Sequence, residues 1–161
     1  MNCIKNNMKR YIIYFICTIF ILFVGGIYCS YYQIKMNSYN YLNRKISESI
    51  KIVIIGDLHN NIFNENNDKL IQNIIEQSPD IIFIIGDMLN RDTENANVVI
   101  YLIEQLREVA PVYYGLGNHE LDWQKSHEED LCIQLENAGA VVLDKTWCDI
   151  EVGPMSRFST S

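Results

Sequence analysis

Acidic residues are absent from the first 45 positions of the chain, although the whole sequence contains 20 of them. All of the acids therefore lie in residues 46–161, where they outnumber seven Lys and Arg and give a formal charge of −13; the six bases before them give +6. A domain that negative repels a phosphate backbone, so we expect no nucleic-acid partner. A local metal centre in it could still attract a small anionic substrate.

Paired cysteine spacing is also missing. The chain has five cysteines, an odd number without a C-x-x-C pair, which argues against a zinc site or a disulfide framework. We expect Cys132 and Cys148, the two in the acidic part, to be small buried hydrophobes. A chain of 161 residues that is 48% hydrophobic is not disordered, and its length suits one domain with an appendage.

A long uncharged run is present near the start. Residues 11–29 (YIIYFICTIFILFVGGIYC) are almost wholly apolar and approach the ~20 residues that a helix needs to cross a bilayer. Lys5, Lys9 and Arg10 precede this run closely, while Lys35 alone lies near its other end. The positive-inside rule then places residues 1–10 in the cytoplasm and the domain outside, which predicts a single-pass membrane protein. Residues 30–49 are rich in Tyr and Asn and are expected to form a linker.

After residue 50, short apolar runs that end at glycine alternate with apolar residues at helical spacing. The pattern predicts strands at 51–55, 81–85, 112–114 and 141–143, with three helices between them. Strands that are apolar throughout predict a parallel α/β sheet covered on both faces. Residues 144–152 resemble the start of a further strand, and we expect residues 153–161 to be an irregular tail.

Polar clusters follow three successive strands: Gly56-Asp57-Leu58-His59, Gly86-Asp87 and Gly117-Asn118-His119-Glu120. The carboxyl ends of parallel strands share one edge of a sheet, so the three clusters should meet. In an extended strand end Asp57 and His59 would point the same way and could hold one metal ion. Asp87 has two oxygens and could bridge two ions, and Asn118 offers a neutral carbonyl oxygen. Mixed oxygen and nitrogen ligands suit Mn, Fe or Zn better than Ca.

These three motifs, in this order, resemble the signature of the calcineurin-like metallophosphoesterases, over about residues 50–145. The resemblance implies the first half of a double-sheet α/β sandwich that hydrolyses phosphate esters with two divalent metal ions and metal-bound hydroxide. It makes Asp57 and His59 ligands of one metal, Asp87 the bridge and Asn118 a ligand of the second metal. It makes His119 the general acid, or the group that positions the phosphate. Small bacterial members with a similar anchor suggest a lipid-linked or cell-envelope phosphate ester as substrate.

Two features depart from the family pattern. Many members carry an acid three residues after the bridging Asp, where it orients the catalytic His; this chain has Asn90 there, followed by Arg91, which could contact phosphate. The family also uses later histidines in Gly-His and Gly-His-x-His motifs. This sequence has only His59, His119 and His127, and we expect His127 to lie in a solvated helix start. We therefore expect a truncated chain, with partial domain 50–152, that is weakly active or inactive.

Two other interpretations stay open. One is a non-catalytic membrane-tethered α/β module, derived from the same family, that binds a partner or one metal weakly. The other is an unrelated doubly wound domain of the receiver or haloacid-dehalogenase type. Such domains use an Asp nucleophile with a second Asp or a Lys nearby, whereas here His59 stands where Asp-x-Asp would need an acid.

Overall fold

The computed structural model describes residues 2–32, 34–44, 46, 48–128, 130–143, 148–152 and 156–159. The chain divides into two units, Met1–Tyr39 and Asn40–Ser161. Residues 153–155, 160 and 161 of the expected tail, and 144–147 before them, lie outside the described residues.

The first unit contains one long helix, α1 (Asn2–Tyr32). Within it, Lys9–Tyr28 forms a stretch of 20 residues with mean hydropathy 2.2 and no buried residues. Apolar side chains point outward around the helix, including Phe15 and Leu22, which are 67% and 70% exposed. This helix is long and apolar enough to span a membrane, which agrees with the predicted anchor at 11–29.

The second unit is an α/β domain whose elements follow the predicted alternation. Its strands and helices are β1 (Ile52–Ile55), α2 (Asp68–Gln77), β2 (Ile81–Ile84), α3 (Asn97–Leu106), β3 (Val112–Gly115), α4 (Asn118–Ser126), α5 (Leu131–Ala138), β4 (Ala140–Leu143), β5 (Asp149–Val152) and β6 (Ser156–Ser159), with a short 3₁₀ turn at Glu65–Asn67. Four strands form a parallel sheet in the order β1-β2-β3-β4. The predicted fold class, a parallel α/β sheet preceded in the sequence by an apolar helix, is confirmed.

The helices end where local chemistry requires. Ser78, before Pro79, closes α2 in the left-handed conformation with φ 48°, and a proline there prevents continuation. Asp130 caps α5 by accepting hydrogen bonds from the backbone N–H groups of Cys132 and Ile133. Gly139 ends the same helix with φ 107°, as the sequence predicts.

The core lies between the sheet and its crossover helices. Crossovers between parallel strands are right-handed, so strands in sequential order carry their helices on one face. Buried residues of α3 and α5, among them Leu102, Ile103 and Leu135, line that face with Ile82 and Tyr114 of the sheet. Burial of these side chains is the main stabilising contribution, at about 1.5–3 kcal/mol for each large one.

The opposite face of the sheet differs from prediction. Ile54 and Val141 belong to one row across the four strands, together with Phe83 and Tyr113, yet Ile54 is 62% and Val141 46% exposed. The expectation of a sheet covered on both faces is therefore wrong for this row in the described part of the chain. A continuous apolar run of β-branched residues predicts a strand, but it does not show which elements cover each face of the sheet.

Four further features differ from prediction. Asn118–Ser126 forms a separate helix, α4, in addition to the three predicted between the strands. His127 ends this helix rather than starting one, and its ring stacks on Trp123 with centroids 3.9 Å apart. The irregular tail is also wrong for Ser156–Ser159, which pairs antiparallel with Asp149–Val152. Cys132 and Cys148 are half-buried rather than fully buried.

Candidate metal centre

The loops that follow β1, β2 and β3 meet at the carboxyl edge of the sheet. The backbone N–H of Asp57 donates to the carbonyl oxygen of Gly86 at 3.2 Å, and that of His59 donates to the carbonyl oxygen of Asp87 at 3.0 Å. From the other side, the N–H of His119 donates to Oδ1 of Asp87 at 3.0 Å. Asp87 is therefore the residue on which the three loops converge, as the sequence spacing predicts.

Glycines allow this close approach. A Cβ on Gly86, whose φ is +86°, would lie 2.3 Å from the backbone nitrogen of Gly117, and a Cβ on Gly117 would lie 2.4 Å from Oδ1 of Asp87. At Gly86 both the positive φ and the lack of space require glycine. At Gly117 only the lack of space does, because its φ of −89° suits any residue. The loops that follow β2 and β3 therefore pack backbone against backbone.

Asp57 and His59 are close to each other, but not for the predicted reason. Neither residue is extended: φ is 55° at Asp57 and 49° at His59, and Asp87 is similar at 52°. Nε2 of His59 still lies 3.9 Å from Oδ1 of Asp57, with the two side chains 41% and 79% exposed. With ligand distances of about 2.0–2.2 Å, that separation is near the upper limit for two groups that share one ion.

Asn90 contacts a different histidine from the one expected. Its Oδ1 lies 3.1 Å from Nδ1 of His59, and its Nδ2 donates to the carbonyl oxygen of His59 at 3.0 Å. A carbonyl oxygen only accepts, so the amide nitrogen must face it and Oδ1 must accept from Nδ1–H of the imidazole. The proton is then on Nδ1, and the lone pair of Nε2 is directed toward the Asp57 side, as metal coordination requires.

His119 lies beside His59 in the first turn of α4. The two rings meet edge to face, with centroids 4.8 Å apart and an interplanar angle of 87°. Nδ1 of His119 is shielded from solvent and has no hydrogen-bond partner among the residues that the structure describes. Asn118, the preceding residue, is exposed at the start of the helix.

Arg91 is exposed at the margin of the site. The pKa of Asp122 is lowered from its ordinary value, first by its hydrogen bond to Lys125 and the charge of that lysine, and to a smaller extent by the charges of Arg91 and His119. Arg91 therefore lies within electrostatic range of the face of α4 that carries His119. This position is compatible with a contact to an anionic substrate.

Glu120 is the residue to which the sequence analysis gave no role. It is completely buried, and Oε2 accepts hydrogen bonds from the N–H groups of Asp87 at 2.8 Å and Gly117 at 2.9 Å. Oε1 accepts from the N–H groups of Met88 at 2.7 Å and Leu89 at 3.1 Å. The available signal was its position three residues after Gly117, where a glutamate caps a helix that starts there.

Tyr114 completes the surroundings of Glu120. Its hydroxyl donates to Oε1 of Glu120 at 3.1 Å, and its ring is fully buried. Burial raises the pKa of Tyr114 well above the ordinary value of 10.0, and the negative charge and hydrogen bond of Glu120, with a smaller effect of Asp87, raise it further. The phenol therefore stays a neutral donor across the physiological range.

The donor chemistry of the site fits a divalent metal ion, since the Asp57 carboxylate lies 3.9 Å from Nε2 of His59, whose lone pair is free. The arrangement is incomplete as a cage. Among the described residues, no group of three or more His, Cys, Asp or Glu side chains is disposed to hold a metal ion. The pair of Asp57 and His59 is the closest approach to a ligand set.

Comparison with known proteins identifies the class. The model of the calcineurin-like phosphoesterase family matches residues 50–150. An uncharacterised metallophosphoesterase of Campylobacter jejuni is 31% identical over 77 residues, which are 47% of this chain and 21% of that protein. A protein of Invertebrate iridescent virus 6 that carries the name phosphoesterase is 35% identical over 86 residues, which cover 47% of this chain and 29% of that protein.

The chain belongs to the calcineurin-like phosphoesterase family, a family of metal-dependent hydrolases of phosphate esters. It spans between a fifth and a third of the length of these two relatives. The family match also removes the doubly wound alternatives of the receiver or haloacid-dehalogenase type.

Proposed function

We propose that the chain acts in the metal-dependent hydrolysis of phosphate esters, with its active site at the carboxyl edge of the β1-β2-β3-β4 sheet. Asp57 and His59 would hold one divalent metal ion, Asp87 would be a ligand of both ions, and Asn118 would contribute to the second. His119 protonates the leaving-group oxygen or positions the phosphate. The convergence of the three loops on Asp87 is the observation that carries this proposal.

The bound ions would supply Lewis acidity for attack of water on phosphorus. The protein's own groups orient and exchange protons. Asn90 holds His59 in the tautomer that leaves Nε2 free, and the N–H of His119 fixes Oδ1 of Asp87. Because Nδ1 of His119 is shielded from solvent, the proton that this residue donates is carried on Nε2.

We expect the chain to bind divalent ions weakly and to turn over slowly, because no group of three or more His, Cys, Asp or Glu side chains among the described residues is disposed to hold an ion. The test uses the full chain in detergent micelles with Mn²⁺ and two substrates, p-nitrophenyl phosphate and bis(p-nitrophenyl) phosphate. Turnover should be low, should stop with EDTA, and should fall at least about 100-fold in Asp87→Asn, the size expected for loss of a ligand or a positioned group.

Asp149→Asn, an exposed position in β5, is the matched control and should hydrolyse both substrates as the unchanged chain does. Turnover that survives EDTA, or that Asp87→Asn leaves intact, would contradict the assigned site. The ratio of the two rates shows whether monoesters or diesters are preferred.

The second candidate is a non-catalytic membrane-tethered α/β binding module. The lack of a three-ligand group among the described residues favours it. Equilibrium dialysis against Mn²⁺ separates the candidates: two ions per chain together with turnover support the hydrolase, whereas one weakly bound ion or none, without turnover, supports the module.

We further propose that α1 anchors the chain in a membrane, with residues 1–10 in the cytoplasm and the domain outside. A lipid-linked or cell-envelope phosphate ester is then the substrate class that such a location favours, and the formal charge of −13 over residues 46–161 disfavours binding of nucleic acid. In a bacterial host the chain should resist alkaline carbonate extraction, while Ile19→Asp should be released, because a central Asp costs about 2.5–3.5 kcal/mol. Protease added to spheroplasts should digest the domain; protection would reverse the orientation.

A further inference from the structure

Glu120 occupies a place that no assigned step of the reaction uses. Five donors surround its carboxylate: the N–H groups of Asp87, Met88, Leu89 and Gly117 and the hydroxyl of Tyr114. A group that only accepts can satisfy all five, and its side chain is fully buried. Burial of a carboxylate is costly unless its oxygens are bonded in this way, so the position is specific for an acid.

Helix capping alone does not account for this set of bonds. A glutamate at the third helical position caps by accepting from the N-cap residue, and here that requires only the N–H of Gly117 at 2.9 Å. Three of the remaining bonds come from consecutive amides of the loop after β2, about 30 residues away in the chain. Consecutive N–H groups that point at one anion form an anion-binding nest, and Glu120 fills it from the first turn of α4.

One oxygen joins the two loops directly. Oε2 accepts from Asp87, at the start of the β2 loop, and from Gly117, the residue before Asn118 and His119. Oε2 therefore ties the proposed bridging ligand to the start of α4, in addition to the direct bond from the N–H of His119 to Oδ1 of Asp87. Asp87 has a positive φ of 52°, a strained conformation for a residue other than glycine that persists only where its surroundings fix it.

We propose that Glu120 is a positioning residue that locks the β2 loop to the start of α4, and so sets the distance between Asp87 and the pair Asn118 and His119. This inference rests on the proposed function for its consequence at the metal ions. The lock itself is a property of the apo chain and can be measured without metal.

The first measurement is hydrogen exchange of the full chain in detergent, read by mass spectrometry over peptides that cover 86–90 and 115–118. In the unchanged chain both segments should exchange slowly and open as one unit, with the same dependence on urea. Different opening free energies for the two segments would overturn the proposal without any variant.

The second measurement uses Glu120→Gln, which puts N–H donors where acceptors are needed. Exchange should accelerate at least about tenfold in both segments together, the factor that corresponds to about 1.4 kcal/mol. Glu104→Gln, on the exposed side of α3, should change neither segment. If circular dichroism shows that Glu120→Gln is unfolded, Glu120→Asp is used. Because its side chain is shorter, exchange should accelerate in one of the two segments and stay slow in the other. Protection of both segments in the folded variant would overturn the lock.

The third measurement is a Co²⁺ titration followed by the visible absorption of the bound ion. Glu120→Gln should weaken Co²⁺ binding at least about tenfold and change the shape of the spectrum, whereas Glu104→Gln should match the unchanged chain. If the unchanged chain shows no bound-Co²⁺ spectrum, the proposed function fails while the exchange data still decide the lock. If Co²⁺ binds and Glu120→Gln leaves both affinity and spectrum intact, the positioning role is wrong although the metal site stands.

Discussion

Asn90 and His59 form a two-point contact, in which the Asn90 amide oxygen lies 3.1 Å from Nδ1 of the imidazole and the amide nitrogen donates to the His59 carbonyl at 3.0 Å. One side chain thereby fixes both the ring and the backbone of a proposed metal ligand. The family pattern led us to expect that position 90 would orient His119 instead. The Asn90 amide orients His59, a proposed metal ligand, whereas the family pattern predicts an acid at this position that orients the catalytic histidine.

Replacement of Asn90 by alanine should therefore act on the metal ion. Without the acceptor, His59 samples the other tautomer and other ring orientations, and Mn²⁺ affinity should fall about 10–100-fold. Titration of Mn²⁺ followed by electron paramagnetic resonance measures this. Asn90→Asp keeps an acceptor for Nδ1–H and should stay within about tenfold of the unchanged chain. Equal affinity for Asn90→Ala and the unchanged chain would show that His59 is not oriented by this contact.

Alanine at Gly117 should destabilise the domain by about 1–3 kcal/mol, because its Cβ would lie 2.4 Å from Oδ1 and 2.5 Å from the nitrogen of Asp87. Gly115 offers a matched control two residues earlier, since a Cβ there would meet only the carbonyl oxygen of Ile84 at 3.8 Å. Urea unfolding followed by circular dichroism compares the two variants. A Gly117→Ala chain as stable as Gly115→Ala would mean that the two loops separate easily.

Tyr114 should give the domain a distinct alkaline limit. Its folded pKa is raised by burial and by Glu120 above the value of about 10 in the unfolded chain. The stabilising contribution of the neutral phenol is thus complete below about pH 10 and is lost as pH rises from there toward the folded pKa, at up to about 1.4 kcal/mol per pH unit. Urea midpoints between pH 9 and 11 should fall less steeply for Tyr114→Phe than for the unchanged chain; parallel curves would contradict this.

Trp123 stabilises the loop that contains Asn90. Its Nε1–H donates to the carbonyl oxygen of Thr93 at 2.7 Å, and the hydroxyl of Thr93 accepts from the N–H of Asn90 at 3.0 Å. Trp123→Phe leaves that half-buried carbonyl without its donor and should cost at least about 1 kcal/mol of unfolding free energy, the net contribution of a typical hydrogen bond. Denaturant unfolding measures the loss. His127→Phe retains a ring against Trp123 but loses the hydrogen bond between Nδ1 and the carbonyl oxygen of Trp123 at 2.9 Å, and it should cost less; the reverse order would place the larger stabilisation in that bond.

The sheet could be predicted because its strands carry local signals that agree with one another. Ile81–Ile84 is short, apolar and ended by glycine, and Val99, Leu102 and Ile103 recur at helical spacing, so each segment has one consistent interpretation. The convergence of Asp57, Asp87 and His119 followed from the topology alone, since parallel strands share their carboxyl edge.

Helix α4 could not be predicted in the same way. Asn118–Ser126 is mostly polar and buries only Glu120 and Trp123, so it has no apolar stripe to reveal a helix. A glutamate is normally placed in solvent, and its burial here depends on amides from a loop about 30 residues earlier. The partner of Asn90 was missed for a related reason, since spacing brings loops together but does not decide which side chain faces which.

The positive φ values at Asp57, His59 and Asp87 serve the proposed metal site at the expense of thermal stability. Each costs about 1–3 kcal/mol in a non-glycine residue, and glycine or asparagine would occupy the same conformation more easily. Sequence drift without selection for metal binding would therefore remove these side chains while raising the melting temperature. A descendant of this chain that lost these side chains would have the higher melting temperature.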